Sequence, residues 1–195
     1  LPMVAFGLLV RTGGTADPDD KPGLANLAAT MLAEGTSSRT SRQISDEMER
    51  MGSAIRTEAG REHTIVSAEA LESQWWGALE VVADVVRDPV FPTDDLKRVR
   101  KQRLSALARI ADDPAAIAPR AARALLYGPG SPYGHPGSGT TTSVESLSRD
   151  DLSSHYRERF GPADATLVVA GQVTADGVAK LAERHFGDWK PQGSP

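Results

Sequence analysis

Four histidines are the side chains of this sequence whose usual pKa lies near neutral pH, and histidine is also a common metal ligand. They are His63, His135, His155 and His185, and no two of them lie three or four positions apart, as two ligands on one helix face would. Glu62 directly precedes His63, but neighbouring residues of a strand face opposite sides of a sheet. We therefore expect His63 at the surface and His135 in a loop. Cysteine is absent, which excludes disulfides and thiolate metal ligands.

A run of positive charge, KRVRKQR, occupies residues 97–103. It could contact nucleic acid, but the formal net charge of −4 favours a solvated helix face and gives no indication of a nucleic-acid partner. Arg103 does not fit a solvated face, because on a helical wheel it falls inside an apolar stripe. The stripe consists of Leu96, Val99, Leu104, Leu107 and Ile110. An arginine in such a position extends its charge to solvent or pairs with a buried carboxylate.

Residues 23–36, GLANLAATMLAEGT, predict a helix that exposes two polar side chains on one side. Pro22 suits the first turn of this helix and Gly35 the position after its end. The core face is formed by Leu24, Leu27, Ala28, Met31 and Leu32, which recur at helical spacing. Asn26 and Thr30 point away from that face. They are either solvent-facing polar residues or part of a functional face.

The remaining elements follow from periodicity and capping signals. We expect a strand over 3–12, a helix from the capping box TSRQ at 40–43 to Gly52, and two strands joined by a hairpin at 59–62. Helices are expected over 74–87, from a Thr93 cap to Ala111, from 113–114 to Gly128, and from a Ser148 cap to Phe160. A strand, ATLVVAG, and a helix from Thr174 to Phe186 complete the series. Because regular βαβ alternation is absent, the order predicts an α+β fold with a mainly antiparallel sheet and helices packed on one face.

The length of 195 residues suits one large domain or two small ones, and we expect one domain over 1–190 with a linker starting at 191–195. Apolar residues make up 39% of the chain, and no apolar run is long enough to span a membrane. The opening LPMVAFGLLV reads as a strand and not as a signal peptide. We expect that any targeting segment lies outside this sequence.

Four segments in order resemble the insulinase/pitrilysin family of metallopeptidases. The first is the opening, LPMVAFGLLVRTGGTADPDDKPGLANLAATMLAEGT, and its continuation to residue 53. The others are DPVFPTDDLKRVRKQRLSALARIADDP, LLYGPGSPYGHPGSGT and DDLSSHYRERFGPADATLVVAGQVT, so that the resemblance covers nearly the whole chain. The family frame G-x-A-H-x-x-E-H-M-L-x-x-G-T is matched by Gly23, Ala25, Met31, Leu32, Gly35 and Thr36. The resemblance implies an insulinase-like domain.

The resemblance also implies where the zinc site of the family would lie. The two zinc histidines fall on Asn26 and Thr30, the general-base glutamate on Ala29, and the third zinc ligand on or near Ala106. None of these side chains is a usual zinc ligand or a base. We therefore predict no catalytic residue and no zinc in this domain. Arg103 lies one turn before Ala106, and we hypothesise that its side chain approaches the vacated metal pocket.

The family builds proteolytic chambers from four homologous domains, of which one holds zinc. The resemblance therefore implies a non-catalytic domain or subunit that forms chamber wall and partner surface beside an active homologous subunit or domain. Zinc is expected only in that partner, and peptides are the expected substrates of the shared chamber. Two alternatives remain open, a stand-alone structural or assembly protein of this fold and a zinc peptidase with a relocated metal site. Family habit favours an exported bacterial location.

Overall fold

The computed structural model describes residues 2–128 and 130–190. Its four strands are β1 (Met3–Val10), β2 (Arg56–Ala59), β3 (Thr64–Leu71) and β4 (Ala165–Gly171). The helices of the first half are α1 (Leu24–Leu32), α2 (Ser41–Arg50), α3 (Trp75–Arg87) and α4 (Thr93–Ala111). Those of the second half are α5 (Pro114–Tyr127), α6 (Thr141–Ser146), α7 (Arg149–Arg159) and α8 (Ala175–Phe186). The expected linker at 191–195 lies outside the described residues.

The strands form one antiparallel sheet in the order β2-β3-β1-β4. The central strand β1 pairs with β3 from Met3 opposite Leu71 to Val10 opposite Thr64, and with β4 on its other side. Alternate residues of β1 are buried, and the residues between them are exposed or half-buried. The helices therefore cover one face of the sheet, and the predicted α+β fold is confirmed.

The core lies between that covered face and the helices α1 and α3. Leu27 and Met31 of α1 and Leu79 and Val82 of α3 are each 1% exposed or less. The predicted core face of α1 is therefore confirmed. Within the described residues, no helix is long and apolar enough to cross a bilayer.

Side-chain caps set most of the helix starts. The Thr40 hydroxyl accepts the Gln43 N–H at 3.3 Å, and the Thr40 N–H donates to the Gln43 side chain at 2.9 Å, which completes the predicted capping box. Ser148 caps α7 in the same way. The Asp113 carboxylate accepts the Ala115 N–H at 2.9 Å at the start of α5.

Two predicted helix starts were wrong, and one helix was missed. Thr93 is the first residue of α4 and Pro92 holds the cap position, so that Thr93 caps nothing. Pro22 lies outside α1, because Gly23 is the cap residue with a φ of 94°. A Cβ atom at Gly23 would lie 2.7 Å from the Gly139 backbone, so both the backbone angle and the close approach require glycine. The short helix α6 was not predicted, since its six residues contain only Val144 as an apolar side chain.

Helix α5 is the least covered helix of the fold. None of its described residues is buried, and Leu125 and Leu126 are 86% and 75% exposed. Its main helix contact is with α4, and Arg120 also donates to Ser138 in the loop before α6. The sequence predicted this helix correctly but not its exposure, since its composition is mostly apolar.

Candidate functional site

A buried carboxylate positions α1, the helix on which the polar pair Asn26 and Thr30 lies. The Asp17 carboxylate accepts the N–H groups of Gly23 and Ala25, both at 2.7 Å, at the start of the helix. Burial raises the pKa of Asp17 to about 6, although the hydrogen bonds to the helix backbone act in the opposite direction. The sequence analysis did not single out Asp17 for this role. An aspartate a few residues before a helix start was the available signal.

The polar face of α1 is covered and not solvent-facing, which corrects one of the two interpretations of Asn26 and Thr30. Both residues are half-buried, and Ala29 between them is 1% exposed. The Thr30 hydroxyl donates to the Asn26 backbone carbonyl at 2.9 Å. The Asn26 side-chain oxygen is shielded from solvent and has no hydrogen-bond partner in the described part of the chain. The helical wheel failed here because α4 packs against this side of α1.

Arg103 of α4 reaches the polar face of α1. Its Nη2 group donates to the Thr30 hydroxyl oxygen at 3.4 Å. The side chain is half-buried, and this burial lowers the pKa of Arg103 below its usual range. No carboxylate pairs with it among residues 2–128 and 130–190. Ala106 is half-buried one turn further along the same helix.

The rest of the basic run is divided among several partners. Lys97 pairs with Asp94 at 2.9 Å, and Arg98 pairs with Glu34 and Asp95. Arg100 donates to the backbone carbonyls of Val144, at 3.2 Å, and of Leu147 at the end of α6. The run is therefore an ion-paired and helix-anchoring surface, so that no continuous cationic patch is left for nucleic acid.

A cavity of about 730 Å³ adjoins Asn26. It lies between α1, the end of α4, α5, the β2–β3 hairpin and the loop that precedes α6. The charged or titratable residues that line it are Arg61, Arg120, Arg123 and His135. The hairpin, a helix and a loop supply these residues, which are separated by up to 74 positions in the sequence. No pattern in the sequence indicated that these residues would meet.

The four histidines lie on different elements: His63 in the β2–β3 hairpin, His135 in the loop before α6, His155 on α7 and His185 on α8. His63 is exposed, as predicted, and His135 lies in the loop before α6 with its Nε2 atom 4.0 Å from an Asp19 oxygen. His155 is buried in α7, where burial lowers its pKa to about 4 and Arg159 adds to the effect. His185 is half-buried, and burial lowers its pKa as well.

The donor atoms at the junction of α1 and α4 do not fit a zinc ion. Zinc in proteins is bound by Cys, His, Asp or Glu side chains. The junction offers an amide at Asn26, a hydroxyl at Thr30 and a guanidinium at Arg103. In the described ranges, no group of three or more His, Cys, Asp or Glu side chains could hold a metal ion. The mapping of the lost ligands onto Asn26, Ala29, Thr30 and Ala106 remains a prediction.

Comparison with known proteins gives two family matches along the chain. Residues 2–128 match the family described as Insulinase (Peptidase family M16), and residues 146–195 match the one described as Peptidase M16 inactive domain. An uncharacterized zinc protease of Mycobacterium leprae is 31% identical over 94% of this chain and 41% of its own length. The mitochondrial-processing peptidase subunit beta of Homo sapiens is 25% identical over 96% of this chain and 38% of its own length.

Solved structures show the same fold. A peptidase M16 inactive domain from Pseudomonas fluorescens superposes with a TM-score of 0.89 at 24% identity over 99% of this chain and 47% of that one. A protease from Helicobacter pylori superposes with a TM-score of 0.93 at 16% identity over 100% of this chain and 47% of that one. The chain therefore spans less than half the length of these relatives.

Proposed function

The chain belongs to the insulinase family of peptidases, family M16, and on that premise we propose that it is a non-catalytic domain of a zinc-peptidase-like chamber. In this role it forms part of the chamber wall and works beside an active homologous subunit. The active partner holds the zinc ion and cleaves the peptide bond. This chain contributes surface that contacts the peptide and the partner.

The contact between Arg103 and Thr30 carries the proposal. In the register of the family motif, Thr30 and Asn26 take the positions of the zinc histidines, and Ala29 takes that of the general base. A guanidinium 3.4 Å from the Thr30 hydroxyl places a fixed positive charge beside those positions. A divalent cation next to that charge would be repelled, and neither an amide nor a hydroxyl offsets the repulsion as imidazole or carboxylate ligands would.

The absence of a base reinforces the same conclusion. A metallopeptidase needs a group that accepts the proton of the attacking water, and the methyl group of Ala29 cannot do so. Ala29 is also 1% exposed, so that no water molecule can take the place of a missing carboxylate without a change in packing.

One family match and the name of one relative support the part of the proposal that concerns a partner. Residues 146–195 match a family described as an inactive domain. The human mitochondrial-processing peptidase relative is named as a subunit. Both descriptions suit a chain that works in an assembly with a catalytic homologue.

The proposal is tested by mixing the full-length protein with a homologue from the same organism that retains an intact H-x-x-E-H motif. Cleavage of a quenched fluorogenic peptide is measured for each protein alone and for the mixture. We expect no cleavage by this protein alone and faster cleavage by the mixture than by the homologue alone. Unchanged cleavage in the mixture, with no complex on size-exclusion chromatography, would overturn the proposed pairing.

A further inference from the structure

The cavity beside Asn26 carries an unusual concentration of unneutralised positive charge. Arg61 enters it from the β2–β3 hairpin, and Arg120 and Arg123 enter it from α5, where they lie one turn apart. No Asp or Glu is among the described residues that line it, although the chain as a whole has a net charge of −4. The charge is therefore segregated into this cavity.

The hydrogen bonds of these arginines go to neutral acceptors. Arg61 donates to the carbonyl oxygens of Pro132, at 3.3 Å, and of His135, at 2.9 Å. Arg120 donates to the Ser138 hydroxyl at 2.5 Å. Within the described residues, none of the three arginines forms an ion pair.

Some arginines elsewhere in the fold are paired with carboxylates. Arg39 contacts Asp84 and Glu47, each at 2.9 Å, and Arg98 contacts Asp95 at 2.9 Å. Glu62, which follows Arg61 in the sequence, lies outside the cavity lining and accepts a hydrogen bond from the Tyr133 hydroxyl. The three cavity arginines thus keep donor capacity for an anion that the chain itself does not supply.

The walls between the arginines are apolar. Leu107 and Ile110 of α4 and Ile117 of α5 line the cavity, and Ile117 is 42% exposed. Gly134, Gly137 and Gly139 of the loop before α6 also line the cavity. An apolar wall next to cationic groups suits a peptide with a carboxylate better than a small inorganic anion, because the peptide can also bury apolar surface.

We propose that this cavity binds acidic peptide segments, with Arg120 and Arg123 contacting a side-chain carboxylate of the peptide. The inference rests on the proposed function for the choice of a peptide as ligand. It adds that the peptides handled by the chamber carry Asp or Glu where they cross this domain. Arg61 is held in place by the loop carbonyls and adds positive potential to the site.

The test compares two acetylated and amidated ten-residue peptides that differ only in two central positions, Glu in one and Gln in the other. Binding to the full-length protein, with no partner present, is measured by isothermal titration calorimetry. We expect the Glu peptide to bind about tenfold more tightly than the Gln peptide. The difference should fall below about threefold in the double variant Arg120→Gln, Arg123→Gln, because neither remaining side chain carries a charge. Neither residue is buried, so the variant should fold, which circular dichroism verifies.

Arg42→Gln is the matched control, because Arg42 is 90% exposed on α2 and remote in the sequence from the cavity residues. This variant should keep the full preference for the Glu peptide. Equal affinity for the two peptides, or a preference that survives the double substitution, would overturn the proposal. Binding of inorganic phosphate without binding of the Glu peptide would overturn it in favour of a phosphate site.

The outcomes separate this inference from the proposed function. A Glu preference that depends on Arg120 and Arg123, together with no effect on the homologous peptidase, would retain the site and reject the pairing. Faster cleavage in the mixture without any Glu preference would retain the pairing and reject the site.

Discussion

The Nη2 atom of Arg103 on α4 lies 3.4 Å from the hydroxyl oxygen of Thr30 on α1. This contact joins the two helices that would carry the metal ligands in a catalytic member of the family. In the proposed register of the family motif, in which Asn26 and Thr30 take the positions of the zinc histidines, the contact places a permanent positive charge where catalytic members bind a dication. The contact therefore brings the positive charge of Arg103 to the polar face of α1.

Replacing Arg103 tests whether its half-buried charge destabilises the fold. The guanidinium is half-buried without a carboxylate partner in the described chain, so its desolvation is only partly offset by the Thr30 hydroxyl. Arg103→Met keeps the length of the side chain and removes the charge. We expect it to be neutral or to stabilise the protein by up to ~1 kcal/mol in urea denaturation. A loss of more than ~2 kcal/mol in the free energy of unfolding would indicate that Arg103 takes part in an ion pair or network that the described contacts do not include.

Truncating the core face of α1 tests the packing of that helix. Leu27 and Met31 are 1% and 0% exposed, so Leu27→Ala and Met31→Ala should each destabilise the protein by ~2–5 kcal/mol. Leu125→Ala removes the same kind of side chain from α5 at a position that is 86% exposed and should be nearly neutral. Equal effects at the buried and the exposed leucine would contradict the described packing.

The buried His155 makes stability depend on acidity. Its pKa is about 4 in the fold and 6.5 in the unfolded chain, since burial disfavours the charged imidazole. The unfolded state therefore binds the proton first, and stability is lost as the pH falls from about 6.5 towards 4. The His155→Leu variant should lose less free energy of unfolding than wild type as the pH falls over that range, which chemical denaturation at several pH values measures. His63→Gln, at an exposed site, should leave the decline in place; identical curves for wild type and His155→Leu would refute the assignment.

Asp17 should contribute a pH dependence of opposite sign. Its pKa is raised from 3.8 to about 6, so the folded state binds the proton more strongly than the unfolded state. Its contribution to stability is fully present below pH 3.8 and is lost as the pH rises to about 6. In Asp17→Asn this contribution is absent at every pH. The difference in free energy of unfolding, wild type minus Asp17→Asn, should therefore fall as the pH rises from 3.8 to about 6. A difference that rises with pH would show that the helix N–H groups lower the pKa of Asp17 instead.

Most elements of the fold were predictable because their signals are local. The strand β4 and the capped starts of α2, α5 and α7 follow from sequence patterns of a few residues each. The start of α1 was misjudged by contrast, because Gly23 is required by its contact with Gly139, more than a hundred positions away. Helix α6 was missed because its six residues contain too little apolar periodicity.

The candidate site was less predictable, because it is made of contacts between elements. The wheel of α1 correctly placed Leu27 and Met31 in the core but could not show that α4 covers Asn26 and Thr30. The position of Arg103 inside an apolar stripe was the one sequence signal for that contact, and the structure confirms that its side chain turns inwards to Thr30. The cavity arginines gave no such signal.

The decisive test of whether this domain is non-catalytic is the zinc content of the purified full-length protein, measured together with its peptide cleavage. The protein is purified without chelator and analysed by inductively coupled plasma mass spectrometry, and its cleavage of a fluorogenic peptide library is recorded. We expect far less than one zinc ion per chain and no cleavage. One zinc ion per chain, with cleavage that a chelator abolishes, would contradict the assignment of a non-catalytic domain.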